Sequence, residues 1–335
     1  MADVPLTEEQ IHEVLTLVFF QRDVVRMPEL IPPLDQPQPK LVHYTSAQTA
    51  HAILTAKNED DRCLWLRNAT EMNDFSEVDY GLAMLRMAFS DNALAEPFLD
   101  ACNAIVPDHF QNVFKAIGDE ARLLKLNTYL LSLSAHAGPE LDIGLLSMWR
   151  AYGGEANVCL VFNVDAFAND QDAYDVNIAP VDYRGLAGVR QEIERIRDAM
   201  IEHRKALKKI DPNVVSFNMK YALDIMLLST KHPGFAEEKE WRLIYRPPPA
   251  PQEPDVPSKI VCVNGIVQSV FYLPMKDIPE KNLLKANLNE LLDSIIIGPT
   301  PNPYVVSNAF IRLLRAAGVE NPEQRVKISG IPLRR

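Results

Sequence analysis

Residues 237–245 constrain the fold of this chain more than any other stretch, because an acidic cluster there leads directly into strand-forming residues. Three of the first four positions are glutamates, and the prolines at 247–249 end the run. Strand side chains alternate between two faces, so an extended segment beginning at Glu238 has two different sides. One side is polar, formed by Glu238, Glu240 and Arg242. The other is apolar, formed by Trp241, Leu243 and Tyr245. We therefore predict a strand with one face in the core and one face available for chemistry.

Length and composition predict a soluble globular protein. The chain has 335 residues, 47% of them hydrophobic, which suffices for a substantial core in one large or two ordinary domains. No apolar run approaches the roughly 20 residues that span a bilayer, and the N-terminus does not look like a signal peptide. We expect a cytoplasmic protein without a membrane partner.

Charge and cysteine content narrow the function classes. The net charge of −11 argues against a whole-surface grip on nucleic acid, although a local basic groove is compatible with it. The four cysteines are far apart and include no CxxC pair, so we expect buried free thiols rather than a zinc cage or disulfides. The seven histidines show no metal-ligand spacing, and no metal is predicted.

The order of the elements predicts the α+β class. Thr7 and Gln10 have capping-box spacing ahead of a helical apolar stripe, and prolines interrupt residues 31–40. Strand-like runs lie at 41–45, 63–66, 129–134, 158–162, 259–263, 266–272 and 294–298. Because they do not alternate regularly with helices, a doubly wound sheet is disfavoured. We predict an N-terminal helix and connection, 1–40, and a single domain, 41–335, with helical insertions near 75–126 and 186–230.

Several ordered motifs resemble a large bacterial family of unknown function, domain-of-unknown-function family 2971, over about residues 41–300. The motifs are His43-Tyr44-Thr45, the segment 64–74 with Arg67 and Asn73, the segment 147–152 with Trp149, Arg150 and Tyr152, the segment 238–242, and Ile295 to Pro299. The most specific are the MW-xx-Y signature at 148–152 and the EKEWR signature at 238–242.

Members of this family look similar to the ADP-ribosyltransferase fold, a split antiparallel sheet that holds NAD in a cleft, and several occur in toxin or phage-defence contexts. The resemblance implies that fold here, with a helical layer and with NAD as the substrate. It also implies an unknown protein or nucleic-acid acceptor and a possible antitoxin or defence partner.

The resemblance assigns roles to individual residues. His43, with Tyr44 and Thr45, occupies the place of the first core strand, which contacts the adenosine ribose. Glu240 matches the catalytic glutamate, and Glu238 matches the first member of a Glu-x-Glu pair. The middle motif departs from the family pattern, because its tyrosine precedes the strand at 158–162.

The proposed chemistry suits these residue types. Cleaving the nicotinamide–ribose bond develops positive charge on the ribose, which a carboxylate such as Glu240 stabilises, while Glu238 is placed to accept the proton of the attacking group. Arg67 or Arg150 is suited to bind the pyrophosphate. The remaining candidate ligand contacts are ring stacking by Trp149 or Tyr152 and a ribose hydrogen bond from Asn73.

Each assignment has a structural alternative. Glu240 could form only an ion pair, Glu238 could lie in an exposed turn, and His43 could be a hydrogen-bonded core histidine. The alternatives for the others are core packing of Trp149, helix capping by Arg150 and an N-cap at Asn73. For the whole protein, the alternative is a non-catalytic nucleotide-sensing or protein-binding module, in which residues 186–230 could form an interaction arm.

Overall fold

The computed structural model describes residues 5–21, 26–29, 32, 38–55, 62–71, 77–107, 121–152, 156–168, 176–248, 252–254, 256–263 and 265–332. The chain divides into two compact units whose segments alternate along the sequence. Unit 1 comprises residues 1–26, 69–127 and 179–236, and unit 2 comprises residues 27–68, 128–178 and 237–335. Unit 1 therefore contains the N-terminal helix and both predicted insertions. The predicted division into residues 1–40 and a single domain of residues 41–335 stays a prediction.

Helices make up unit 1 and flank the strands in unit 2. The helices of the described residues are α1 (Glu8–Leu15), α2 (Ala47–Leu54), α3 (Glu77–Phe89), α4 (Asn92–Asn103), α5 (Ala121–Leu126), α6 (Glu140–Ile143), α7 (Leu146–Ala151), α8 (Asp165–Ala168), α9 (Leu186–Glu202), α10 (Arg204–Leu207), α11 (Pro212–Leu228), α12 (Leu288–Leu291), α13 (Pro303–Ala316) and α14 (Pro322–Arg325). None of them combines the length and apolar character needed to cross a membrane.

Side-chain caps explain where two of these helices begin. The capping box predicted at Thr7 is present, because Thr7 accepts from the Gln10 backbone and the Gln10 side chain accepts from the Thr7 backbone. Ser46 accepts a hydrogen bond from the Thr49 backbone at 3.1 Å and begins α2. The helix start at Thr7 confirms the sequence prediction.

The strands form one large, mostly antiparallel sheet, which confirms the α+β class. They are β1 (Lys40–Ser46), β2 (Cys63–Asn68), β3 (Tyr129–His136), β4 (Asn157–Phe162), β5 (Val176–Pro180), β6 (Glu240–Tyr245), β7 (Ser258–Val263), β8 (Ile266–Pro274), β9 (Leu292–Ile297) and β10 (Val326–Ile328). β10 pairs in parallel with β9, and β5 pairs with β6.

Strand β3 has three strand neighbours, because two of them share one of its edges. β6 pairs with residues 129–134 of β3 and fills one edge. Ser134 also pairs with Val42 of β1, and Tyr129 also pairs with Asn68 of β2, so β1 and β2 both lie along the other edge. The sheet therefore forks at β3 into one arm formed by β1, β4, β9 and β10 and another formed by β2, β8 and β7.

The core of unit 2 covers the face of the sheet that carries Trp241. Trp241, Leu243 and Tyr245 belong to one large buried cluster, as predicted. The opposite face of β6 is also buried, so all six residues of this strand are inaccessible. Of the four cysteines, Cys262 is exposed, which contradicts the expectation that every thiol is buried.

The entrance to β6 differs from the prediction. Glu238 ends a 3-10 segment (Pro233–Glu238), and β6 begins at Glu240. Between them Lys239 adopts a left-handed backbone with φ of 45°. Because the extended geometry does not reach Glu238, its side chain does not continue the polar row of Glu240 and Arg242.

Candidate functional site

The strand register places Glu240, Tyr44 and Arg67 on one face of the sheet. Directly opposed residues of paired strands share a face, and Glu240 opposes Ser134, which opposes Val42. Tyr44 lies two residues beyond Val42 and so keeps that face. Arg67 opposes Leu130, which opposes Ile244 on the same face as Glu240. Three of the predicted site residues therefore lie on the same side of the sheet, which we call the site face.

The register places His43 and Thr45 on the opposite face. His43 stands just past the last pair between β1 and β3, where its Nδ1 donates to the carbonyl oxygen of Ser132 at 3.1 Å. Burial lowers the pKa of His43, and the charge of Arg67 lowers it further, while the Ser132 hydrogen bond opposes them. His43 is thus a neutral, hydrogen-bonded histidine, and its side chain lies on the face of the sheet opposite to Glu240.

Glu240 and Arg242 form a buried, two-pronged ion pair on the site face. Arg242 Nε donates to Glu240 Oε1 at 2.8 Å, and Arg242 Nη2 donates to Oε2 at 3.0 Å. The two residues are only 4% and 1% exposed, respectively. Because two parallel hydrogen bonds join the groups, this geometry fixes the orientation of the carboxylate in addition to strengthening the attraction between the charges. The structural alternative for Glu240, an ion pair, is therefore present whatever further role it has.

Ser134 and His136 extend this polar cluster along β3 and were not predicted. His136 Nε2 lies 3.1 Å from Ser134 Oγ, and that hydroxyl donates to the carbonyl oxygen of Glu238. His136 Nδ1 lies 3.3 Å from the carbonyl oxygen of Glu140. A sequence signal existed, because Ser132, Ser134 and His136 occur at every second position of an otherwise largely apolar strand.

We predict that His136 makes unit 2 less stable in mild acid. Burial lowers the pKa of His136 to about 4, although the negative charge of Glu140 and the hydrogen bond to its carbonyl oxygen both act to raise this pKa. Between its ordinary value of 6.5 and about 4, the unfolded chain binds a proton that the folded chain does not. Stability should fall as pH drops through that window, by on the order of 3 kcal/mol.

Urea unfolding at several pH values measures this effect. All three tryptophans, Trp65, Trp149 and Trp241, lie in unit 2, so their fluorescence reports on that unit. The variant His136→Gln cannot titrate and should lose this part of the pH dependence. An unchanged slope between pH 6.5 and 4 in the variant would show that the prediction is wrong.

The segment that follows β3 folds against Tyr44 and Lys239. Lys239 Nζ donates to both carboxylate oxygens of Glu140, at 2.9 and 3.1 Å. Burial of Glu140 works to raise its pKa, but Lys239 outweighs burial, and the pKa is lowered. The Tyr44 hydroxyl accepts from the Leu145 backbone at 2.7 Å, and burial raises the pKa of Tyr44, so the phenol stays neutral.

Trp149 is a core residue rather than a stacking platform, which corrects the prediction. It is 1% exposed, packs edge-on against Tyr44 and donates from Nε1 to the carbonyl oxygen of Ile143 at 2.9 Å. A Cβ atom built on Gly144 or on Gly298 would come within 2.7 Å of the indole ring. The ring therefore stands between two glycines, with no room for a base or a nicotinamide.

We predict that Gly298→Ala destabilises unit 2 by about 1–3 kcal/mol, the usual cost of overpacking a filled core. The new methyl would also lie 3.0 Å from the Cβ atom of Asn157, so two neighbours would have to move. Denaturant unfolding followed by tryptophan fluorescence measures the loss. In a Trp149→Phe background the smaller ring should reduce the cost, and an equal cost in both backgrounds would contradict this packing argument.

The remaining predicted site residues lie apart from the ion pair. Arg150 is exposed at the end of α7, and Tyr152 is a half-buried C-cap beside the cluster around Trp149. Glu238 precedes the strand, as described above. Asn73 falls outside the described residues. Arg67 is half-buried, and its Nε donates to Gln268 Oε1 at 3.2 Å.

Within the described ranges, no three His, Cys, Asp or Glu side chains are grouped so that they could hold a metal ion. The cluster at the fork therefore consists of an oriented carboxylate, a guanidinium, a neutral histidine and hydroxyl groups. Such a set can stabilise a developing cation and exchange protons, and it can do so from one face of the sheet.

Comparison with known proteins gives one match. No curated protein and no solved structure matches the chain significantly. Residues 148–243 match the model of a family described as protein of unknown function, DUF2971. The match begins at the MW-xx-Y signature and ends one residue after EKEWR, so it contains Trp149, Glu240 and Arg242. Over the segment from Met148 to Leu243, the chain is therefore similar to the DUF2971 family.

Proposed function

We propose that this protein is an NAD-consuming enzyme, an ADP-ribosyltransferase or an NAD glycohydrolase, with Glu240 as the catalytic carboxylate. One observation carries the proposal: Arg242 holds the Glu240 carboxylate in a fixed orientation at the fork of the sheet, on the same face as Arg67 and Tyr44. A forked antiparallel sheet is also the feature expected of the ADP-ribosyltransferase fold, which we propose for unit 2.

The spacing of the two charged groups suits a dinucleotide. Glu240 and Arg67 are separated by two strand spacings, about 10 Å, and by four residues along β3, about 13 Å, which puts their Cα atoms about 16 Å apart. Glu240 would stabilise the ribose cation as nicotinamide leaves, while Arg67 binds the pyrophosphate.

The biological role that accompanies this chemistry is that of an intracellular bacterial toxin or phage-defence effector. Its acceptor would be an unknown protein or nucleic acid, and an antitoxin or defence partner would restrain it. This part of the proposal rests on the family resemblance, since residues 148–243 match a family without an assigned activity.

Incubation of the full chain with NAD labelled in the adenylate portion, with and without cell extract, tests the proposal. A transferase should label a macromolecule in the extract, and a glycohydrolase should release nicotinamide without it. The variant Arg67→Met should raise KM for NAD by about tenfold or more, the loss of a charge-assisted contact, with a smaller effect on kcat. Absence of both label and free nicotinamide in either reaction would contradict the enzyme assignment.

A non-catalytic nucleotide-sensing or protein-binding module is the second candidate, and the burial of Glu240 favours it. At 4% exposure and with both oxygens on Arg242, this carboxylate resembles a structural pair more than an open catalytic group. Calorimetry separates the candidates: tight binding of NAD or ADP-ribose without turnover supports the module. Turnover of NAD supports the enzyme, and no binding of either compound removes both.

A further inference from the structure

Strands β2, β8 and β7 place two cations and two aromatic rings on the site face. Trp65 opposes Tyr272, and Arg67 opposes Val270, which opposes Lys259 in turn. Antiparallel partners share a face, and the side chains alternate, so Trp65, Arg67, Tyr272 and Lys259 all project to one side. Gln268, two residues from Val270, lies on that side as well.

This patch has no carboxylate, although the whole chain carries a net charge of −11. The three strands are described completely, and their side chains on this face are Cys63, Trp65, Arg67, Lys259, Val261, Val263, Ile266, Gln268, Val270, Tyr272 and Pro274. Two are positively charged and none is negative. The charged side chains that these three strands present on this face are therefore all positive, which favours an anion.

Gln268 supplies a buried donor that points away from the guanidinium. Its Oε1 accepts from Arg67 Nε at 3.2 Å, and this contact fixes which end of the amide faces Arg67. Gln268 is 9% exposed, and its Nε2 has no hydrogen-bond partner among the described residues. A buried N–H group without an acceptor is destabilising, so an acceptor at this position would be favourable.

Trp65 and Lys259 form a second pair of a buried N–H donor and a cation, and Trp65 lies two residues from Arg67 on β2. The Lys259 ammonium lies 5.0 Å from the ring centroids of both Trp65 and Tyr272 and 3.7 Å from Cys63 Sγ. Within the described part of the chain, Lys259 makes no ion pair. Trp65 Nε1 is also buried without a hydrogen-bond partner there. The patch thus presents two N–H donors, each near a cation.

We infer that this patch, which we call the β2–β8 anion site, binds a phosphate-bearing ligand, with Arg67 and Gln268 at one phosphate and Lys259 and Trp65 at a second. Trp65 and Arg67 are two residues apart on β2, about 6.6 Å along the strand, so one diphosphate group can approach both pairs. Phosphate oxygens accept hydrogen bonds and carry the negative charge that the patch lacks. The site rests on the proposed function only where its ligand is taken to be the diphosphate of NAD.

Calorimetry of the full chain with inorganic pyrophosphate, and separately with ADP, tests the site. The variant Gln268→Glu keeps the size of the side chain, places a carboxylate against Arg67 and removes the amide donor. It should weaken pyrophosphate binding by about tenfold or more, which corresponds to one charge-assisted hydrogen bond. The same substitution at exposed Gln324, Gln324→Glu, should leave the affinity unchanged. Lys259→Met should weaken binding independently of Gln268.

The outcomes distinguish this site from the proposed enzyme. Loss of binding in Gln268→Glu, with unchanged tryptophan fluorescence and binding retained in Gln324→Glu, supports the site whether or not NAD is cleaved. The site is overturned if the unaltered chain binds neither pyrophosphate nor ADP. Equal affinity in Gln268→Glu and Gln324→Glu overturns it as well, and neither result bears on cleavage of NAD at Glu240.

Discussion

Replacing Arg242 with methionine should lower the free energy of unfolding of unit 2 by about 3–5 kcal/mol. Arg242 is 1% exposed and donates two hydrogen bonds to the Glu240 carboxylate, so its loss removes both bonds and the opposite charge from a buried carboxylate. Methionine fills a similar volume, and the cost therefore comes from the broken ion pair rather than from a cavity. Urea unfolding followed by tryptophan fluorescence measures it in unit 2.

A double variant provides the control for this experiment. In Glu240→Leu with Arg242→Met, both charges are absent, and buried ion pairs can often be replaced by apolar residues without loss of stability. Most of the stability should therefore return. A change below about 1 kcal/mol in Arg242→Met alone would contradict the burial of an ionised pair at this position.

The second large effect is on activity, where Glu240→Gln should reduce NAD cleavage by about a hundredfold or more. The glutamine keeps the shape of the side chain but cannot offer a negative charge to the ribose cation, and removal of one electrostatic group costs about that factor in other enzymes. Because Glu240→Gln also removes the negative charge of the buried pair with Arg242, part of any loss could come from unfolding. Activity must therefore be normalised to the folded fraction.

Glu240→Asp separates catalysis from folding. The aspartate keeps the charge that compensates Arg242, so unit 2 should stay folded, but its carboxylate is withdrawn by one methylene group. A displacement of about 1 Å can cost about a hundredfold in rate when orientation matters. If Glu240→Asp retains full activity, Glu240 serves the structure and another group serves the reaction.

Elements with strong local patterns could be predicted from the sequence. The apolar run of β4 and the capping box and stripe of α1 each contain the signal for their own structure, and both elements form where expected. By contrast, β5 and β10 were not predicted. Each is short, and β10 spans only Val326–Ile328, so its conformation depends on its partner β9 rather than on its own residues.

The error at Glu238 has a physical cause outside the local sequence. Lys239 adopts a left-handed backbone that lysine rarely favours, and tertiary contacts compensate for it: its carbonyl accepts from the Ala135 backbone and its ammonium binds Glu140. Neither partner is near it in sequence. A prediction based on alternation alone therefore began the strand at Glu238, two residues before β6 begins at Glu240.

The candidate site was predictable only in its central pair. The shared face of Glu240 and Arg242 follows from strand alternation, whereas the fork follows from long-range pairing that no local pattern encodes. For the same reason the face on which His43 lies could not be predicted, because it depends on the register between β1 and β3. Trp149 was assigned to a ligand because an aromatic residue in a motif suits stacking and packing equally well.

The central claim is that the Glu240 carboxylate cleaves NAD, and nicotinamide release by the unaltered chain and by Glu240→Asp tests it most directly. We expect nicotinamide to accumulate with the unaltered protein and to fall by about a hundredfold in the variant at equal tryptophan fluorescence. Nicotinamide release that is equal in the two proteins would contradict the claim, as would its absence from both while acceptor labelling is also absent.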